Sequence, residues 1–348
     1  MQLRLSGFVL FILVVLLTLM VLGCGERDGP SVDEARTITI VTTIQPIADI
    51  ASNIGGESVR VVNLLPVGGS PHTYEPTPRQ MAAMADAAVF IWVGGGLDDW
   101  AETLADAGSE GLVRLRLTDG ISLLPFEADH TEPEHGHDHQ DASQNAARFD
   151  HDHHTHDLGH DTEVLGGHHE TADHDHGFYD PHIWLDPLLV REYIAPAIAR
   201  ALAGAWPEMD AEFTANLKGY QEQLTDLHHS IAGEFDGLSN RNFIAFHSAW
   251  QYFSVRYGLV QAASVEDSPG KEPSAKWIAE VVEMAREHNA KAIFAEPQFS
   301  NKAAEVIARE FGAQVLILDP LGGPGLDGRE SYLDLMRYNS LVFRQGLE

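Results

Sequence analysis

Residues Asn242–Val265 read NFIAFHSAWQYFSVRYGLVQAASV. Asn242–Phe246 is a short apolar run with aromatic and β-branched members. Leu259–Val265 has the same character, and Ala249–Tyr257 between them suits a helix. Strand, helix and strand in so short a span is a βαβ unit, whose crossover helix returns the chain to a parallel neighbour. His247 stands immediately after the first strand, at its carboxyl end.

The same alternation extends in both directions. Downstream, Ser274–Asn289 reads as a helix, Ala292–Ala295 as a strand, Asn301–Phe311 as a helix, Gln314–Leu318 as a strand and Ser331–Gln345 as a closing helix. Upstream, Thr37–Thr43, Val59–Leu65, Val89–Val93 and Val113–Leu117 read as strands; Pro46–Ile54, Pro78–Ala87 and Leu97–Ala107 read as helices between them. Two helical stretches, Pro187–Ala205 and Pro207–Phe235, occupy the middle. The second places Phe213, Leu217, Tyr220, Leu224, Leu227 and Ile231 at spacings of three and four, the stripe of an amphipathic helix. The pattern predicts an α/β protein of two βα lobes with parallel sheets on either side of a helical middle, its ligand held in the cleft between the lobes beyond the carboxyl ends of strands.

The alternation stops between 127 and 177. From Glu127 to His176 there are fourteen acidic residues against one basic residue, Arg148, so this segment carries −13 of the formal net charge of −30. Thirteen of the nineteen histidines lie in 130–176, among them His135, His137, His139, His151, His153, His154 and His156. So polar a segment lacks the apolar surface needed to offset chain entropy, and it is expected to be a disordered or metal-ordered surface loop that binds metal weakly. A chain this acidic repels the phosphate backbone, which argues against nucleic acid as a partner.

Residues 1–23 read as a signal peptide: Arg4 precedes the apolar run Phe8–Leu22, too short and too early for a stable spanning helix. Cys24 follows Gly23 and is the chain's one cysteine, in the position of a lipidated N-terminus after cleavage. With no second cysteine there is no internal disulfide and no cysteine-built metal site; any metal must be held by histidine, methionine or carboxylate.

Other polar residues follow strands as His247 does. Val59–Leu65 leads to Ser70-Pro71-His72, Ala292–Ala295 to Glu296, and Gln314–Leu318 to Asp319, while His182 lies in Asp180-Pro181-His182 before a helix. Each alone reads as an ordinary hydrogen-bonded residue. Gathered in one cleft, His72, His182 and His247 with Asp319 or water would suit a tetrahedral zinc ion, whereas manganese favours more oxygen ligands. Because imidazoles must be neutral to bind, affinity is expected to fall as the pH drops toward the histidine range.

Five separated motifs carry a resemblance: LLPVGGSPHTYEP at Leu64–Pro76, DPHIWLDP at Asp180–Pro187, FIAFHSAWQYFSVRYGL at Phe243–Leu259, FAEPQF at Phe294–Phe299 and DPLGG at Asp319–Gly323. Together they resemble the zinc-binding solute-binding proteins of bacterial ABC transporters, the ZnuA-like family, from about residue 36 to the C-terminus. The resemblance implies an N-terminal lobe at 36–206 that includes the 127–177 loop, a long linker helix at 207–236 and a C-terminal lobe at 237–348. It implies His72, His182 and His247 as ligands, Asp319 at the place of a fourth carboxylate ligand that water can replace, and Glu296 as a neighbour orienting a ligand. Histidine rather than glutamate at 247 favours zinc over manganese. The resemblance further implies an extracytoplasmic, membrane-anchored, monomeric lipoprotein that passes zinc to an ABC permease with its ATPase. Other readings of the same residues are a carrier of manganese or another divalent metal, a surface adhesin, or a secreted zinc hydrolase in which Glu296 helps to activate water; the chain has no HExxH helix for the last.

Overall fold

The computed structural model describes residues 37–126, 179–266 and 271–348. Its first strand, β1 (Ile38–Thr42), is β-branched throughout and buried along its whole length, as suits a strand covered on both faces. It is followed by α1 (Gln45–Gly55), β2 (Val59–Asn63), α2 (Pro78–Ala83), β3 (Val89–Trp92), α3 (Trp100–Ala107) and β4 (Val113–Arg116). The four strands are parallel in the order β2-β1-β3-β4. Past residue 179 come α4 (Ala195–Ala205) and the 25-residue α5 (Asp210–Glu234).

A second unit repeats the connectivity: β5 (Asn242–Ala245), α6 (Gln251–Tyr257), β6 (Val260–Ser264), α7 (Ala275–Glu287), β7 (Ala292–Ala295), α8 (Lys302–Phe311) and β8 (Gln314–Ile317). These strands are also parallel, in the order β6-β5-β7-β8. The closing helix α9 spans Tyr332–Leu347. Both sheets therefore change direction of growth between their first and third strands. That is where a crevice opens beyond the carboxyl ends.

One apolar cluster runs through the molecule. It joins Ile47, Ile50 and Ile54 of α1, Trp184, the α5 stripe of Phe213, Tyr220, Leu224, Leu227 and Ile231, and Phe343 of α9. Helix α5 packs against α1, α4 and α9, so its buried face belongs to both halves. Its other faces are solvated, which is why its sequence is polar outside the stripe.

The elements depart from the sequence expectation in three places. The stretch Pro187–Ala205 is not one regular α-helix: Pro187–Leu189 is a single α turn, Val190–Ile194 a wider π turn, and the regular helix begins at Ala195. Pro196 has no N–H for the Glu192 carbonyl and its ring crowds that carbonyl, so the chain widens just before it. Helix α2 stops at Ala83 and continues as a tight 3-10 turn, Met84–Asp86. Helix α3 starts at Trp100 rather than Leu97: after Gly94, Gly95 and Gly96, all at positive φ (81°, 68° and 89°), Leu97 and Asp98 are still in the turn, where the Asp98 carboxylate accepts the Val93 and Gly94 N–H groups.

Candidate metal centre

The C-terminal half builds its part of the site from strand register. Ala245 of β5 pairs with Phe294 of β7, so His247 and Glu296, each two residues further on, emerge side by side at the crevice. Their contact is direct, with His247 Nδ1 2.8 Å from Glu296 Oε1. The same oxygen accepts the Trp250 Nε1–H at 3.3 Å. Both side chains are buried, Glu296 completely. Burial alone would push His247 down, but the Glu296 carboxylate beside it prevails and holds the imidazole above its ordinary range. An Nδ1–H bound to Glu296 leaves Nε2 to face a ligand, and Nε2 is buried without a hydrogen-bond partner.

His182 is oriented in the same way by a residue the sequence reading quoted but gave no role. Asp180 Oδ1 lies 2.7 Å from His182 Nδ1 and also accepts the His182 backbone N–H at 2.9 Å. Burial drives both groups toward neutrality: the Asp180 carboxyl is pushed up to about 8, and His182 is held well below its usual range. Neutral imidazole is the form that binds a metal ion. The only sequence signal for Asp180 was its place two residues before a candidate ligand, the reach of a side chain that turns back on its own backbone.

His72 arrives from the short 3-10 turn Pro71–Thr73, downstream of β2. Its ring centroid is 5.4 Å from that of His182 and 5.9 Å from that of His247, while His182 and His247 are 5.3 Å apart. One ring nitrogen from each of the three lies within 4.8 Å of the other two. Imidazole nitrogens around a tetrahedral zinc ion are about 3.3 Å apart, so the present triangle needs to contract by at most about 1.5 Å. Pro71, Trp184, Phe299, Pro320 and Leu321 wall the pocket around the imidazoles, with Ser70, Glu296 and Gln298 completing its lining.

Asp319 is not brought into this group, which among the described residues contains the three histidines alone. Its Oδ1 accepts the Leu321 and Gly322 backbone N–H groups at 3.0 and 2.9 Å, and its Oδ2 accepts from Arg329 Nη1 at 3.0 Å. The carboxylate that the sequence nominated as a ligand is thus engaged in shaping its own loop. The thirteen histidines of the acidic segment and Cys24 lie outside the described residues, as does the signal peptide.

The two lobes are stitched together around the pocket. Trp184 Nε1–H donates to the Pro320 carbonyl at 2.8 Å. Tyr332 Oη donates to the Trp184 carbonyl at 2.7 Å. Arg256 of α6 forks onto Asp186 at 2.7 to 3.0 Å. Beside the pocket, Pro125 and Tyr179 form an antiparallel bridge, and the Asp180 N–H donates to the Leu124 carbonyl at 2.8 Å. Helix α6 holds that bridge from the other lobe: the Leu124 N–H donates to Tyr252 Oη at 3.0 Å, and Gln251 Nε2 to the Pro125 carbonyl at 2.9 Å.

The family described as zinc-uptake complex component A, periplasmic (ZnuA), matches residues 40–346. The high-affinity zinc uptake system protein ZnuA of Brucella abortus is 34% identical over 313 residues, covering 90% of each chain. A crystal structure of ZnuA superposes with a TM-score of 0.69 at 30% identity, covering 90% of this chain and 100% of that one. A ZnuA deletion mutant with zinc bound superposes with a TM-score of 0.67 at 29% identity, covering 90% and 98%.

Proposed function

We propose a function on the premise that the chain belongs to the ZnuA family of periplasmic zinc-uptake components: it captures Zn(II) outside the cytoplasm and delivers it to an ABC-type importer. Zinc is cargo here, and no reaction is required. His72, His182 and His247 supply the nitrogen ligands, with Asp180 and Glu296 fixing the tautomer and aim of two of them. The observation that carries this reading is the meeting of three imidazoles, from segments remote in sequence, with ring nitrogens within 4.8 Å of each other. A pocket walled by apolar side chains lowers the local dielectric around such an ion and slows its exchange with water.

Glu296 supports a carrier better than a hydrolase. Its Oε1 is taken by His247 and by Trp250, the commitment of an orienting group rather than of a base facing substrate. Cys24 carries the lipid anchor, the histidines of the acidic segment bind further zinc weakly, and the protein works as a monomer against a permease and its ATPase. The lobes are 36–206 and 237–348, with 207–236 linking them.

The test is metal analysis of the purified chain, followed by competition titration of the wild type and of a variant with all three histidines changed to alanine. The expected outcome is one tight zinc site in the wild type and none in the variant, with weak sites in both. A triple variant that keeps the tight site ends the reading.

A further inference from the structure

We propose that Arg329 sets the metal preference of this site by holding the Asp319 carboxylate out of the coordination shell. The proposal rests on the zinc reading above. Asp319 stands at the edge of the pocket, since Gln298 and Leu321 both line the pocket and both bond to its Oδ1. That oxygen is saturated: it takes the N–H groups of Leu321 and Gly322 and, at 3.3 Å, Gln298 Nε2. Oδ2 has a lone pair to offer, and Arg329 Nη1 occupies that oxygen at 3.0 Å. The main chain of Asp319 is clasped by Asn339 of α9, whose Oδ1 accepts the Asp319 N–H at 2.8 Å and whose Nδ2 donates to the Asp319 carbonyl at 2.7 Å. With the backbone fixed, bringing Oδ2 to a metal requires a side-chain rotation that breaks the Arg329 pair.

The loop from Asp319 to Arg329 is built to keep that pair. The Gly323 N–H donates to the Arg329 carbonyl at 3.0 Å, and the Arg329 N–H donates to the Leu326 carbonyl at 2.9 Å. At Gly322, with φ +60°, a Cβ would stand 2.5 Å from the Arg329 carbonyl oxygen, so only glycine lets the two ends of the loop close. The guanidinium lies 4.9 Å from the centre of the Tyr338 ring, next to Asn339 on α9. The Asp319 side chain is 1% exposed and that of Arg329 20%, so salt screens the pair poorly.

Three imidazoles and one exchangeable solvent ligand satisfy tetrahedral zinc. Manganese prefers more oxygen donors, and withholding the Asp319 carboxylate denies it one. Arg329 thereby acts as a positioning residue for selectivity without touching the ion.

The test uses the full chain, titrated with Co(II) for its visible d–d bands and with Zn(II) and Mn(II) for affinity. Each titration is corrected by the same chain carrying His247→Ala, which removes the contribution of weak sites. With Asp319→Asn, the cobalt bands should superpose on those of the wild type. With Arg329→Met, the bands should shift and manganese should gain on zinc by about tenfold or more. The double variant should lose both effects, and Arg329→Lys, which keeps a cation, should behave as wild type. Cobalt bands that change in Asp319→Asn alone overturn the proposal, because the carboxylate would then already be a ligand; this variant decides the matter even if Arg329→Met fails to fold. An Arg329→Met chain with wild-type bands and an unchanged manganese-to-zinc ratio overturns it as well. A wild type with no His247-dependent cobalt bands overturns the carrier reading and this proposal with it, an outcome distinct from the other two.

Discussion

Replacing Glu296 with glutamine removes a charge and almost nothing else. The amide oxygen can still accept from His247 Nδ1 and Trp250 Nε1, now at 2.8 and 3.3 Å from Glu296 Oε1. A zinc ion on His247 Nε2 would lie about 6 Å from that oxygen, where a unit negative charge attracts a dication by about 5 kcal/mol at an effective dielectric of 20. Part of this is offset, because the same carboxylate also favours the proton that competes with zinc for His247. The expected net loss is about 1.4–2.7 kcal/mol, or 10- to 100-fold in zinc affinity, as for other partners of metal-bound histidines. The unliganded chain should change in stability by no more than about 1 kcal/mol, since the hydrogen bonds survive. The assay is competition with a chromophoric chelator, with His247→Ala as the baseline for weak sites, alongside urea unfolding without metal. If Glu296→Gln holds zinc within about threefold of wild type, the carboxylate does not act through His247 and the reasoning is wrong.

Three other outcomes follow from the packing and the buried charges. Asp98 accepts hydrogen bonds from Thr43, Val93 and Gly94, yet burial outweighs them and pushes its carboxyl from 3.8 up to about 6. Between those values the folded chain holds a proton that the unfolded chain has released, so raising the pH favours unfolding. Wild-type stability relative to Asp98→Asn should therefore fall by about 2 kcal/mol from pH about 4 to pH about 6 and level at a total loss of about 3 kcal/mol near pH about 7, and a flat difference in urea unfolding across that window refutes it. Gly346→Ala puts a Cβ 2.5 Å from Phe294 Cζ and 2.9 Å from Ala292 Cβ; overpacking should outweigh the gain in helix propensity and leave a net loss of order 1 kcal/mol, and a raised melting temperature would contradict it. Trp184→Phe leaves the buried Pro320 carbonyl without its donor and should cost about 1–3 kcal/mol in chemical denaturation, with faster zinc release because Pro320 walls the pocket.

Much of this was legible because strands and ligands share a rule. Apolar runs such as Asn242–Phe246 and Ala292–Ala295 end where a single polar residue begins, and parallel register then sets His247 against Glu296 without further information. His72 and His182 were legible as candidates, although their convergence depends on loops whose shape no periodicity encodes. What stayed hidden was the bonding of carboxylates. Asp180 and Asp319 look alike in sequence, each an acid followed by proline near a strand or helix end. One turns onto a neighbouring imidazole, while the other is claimed by Arg329, ten residues away through a glycine-rich loop. The π turn before Pro196 was missed for a related reason: the apolar spacing is helical on both sides, and only the absent N–H reports the break.

The bridge between Pro125 and Tyr179 has a consequence for how such a protein can vary. Because Pro125 and Tyr179 are fastened to each other, the position of His182 is set by Leu124, Pro125 and helix α6, and not by the number of residues between them. Each doubling of a spanning segment costs only about 0.6 kcal/mol in closure entropy. A change in the number of residues between Pro125 and Tyr179 should accordingly leave the histidine pocket as it is.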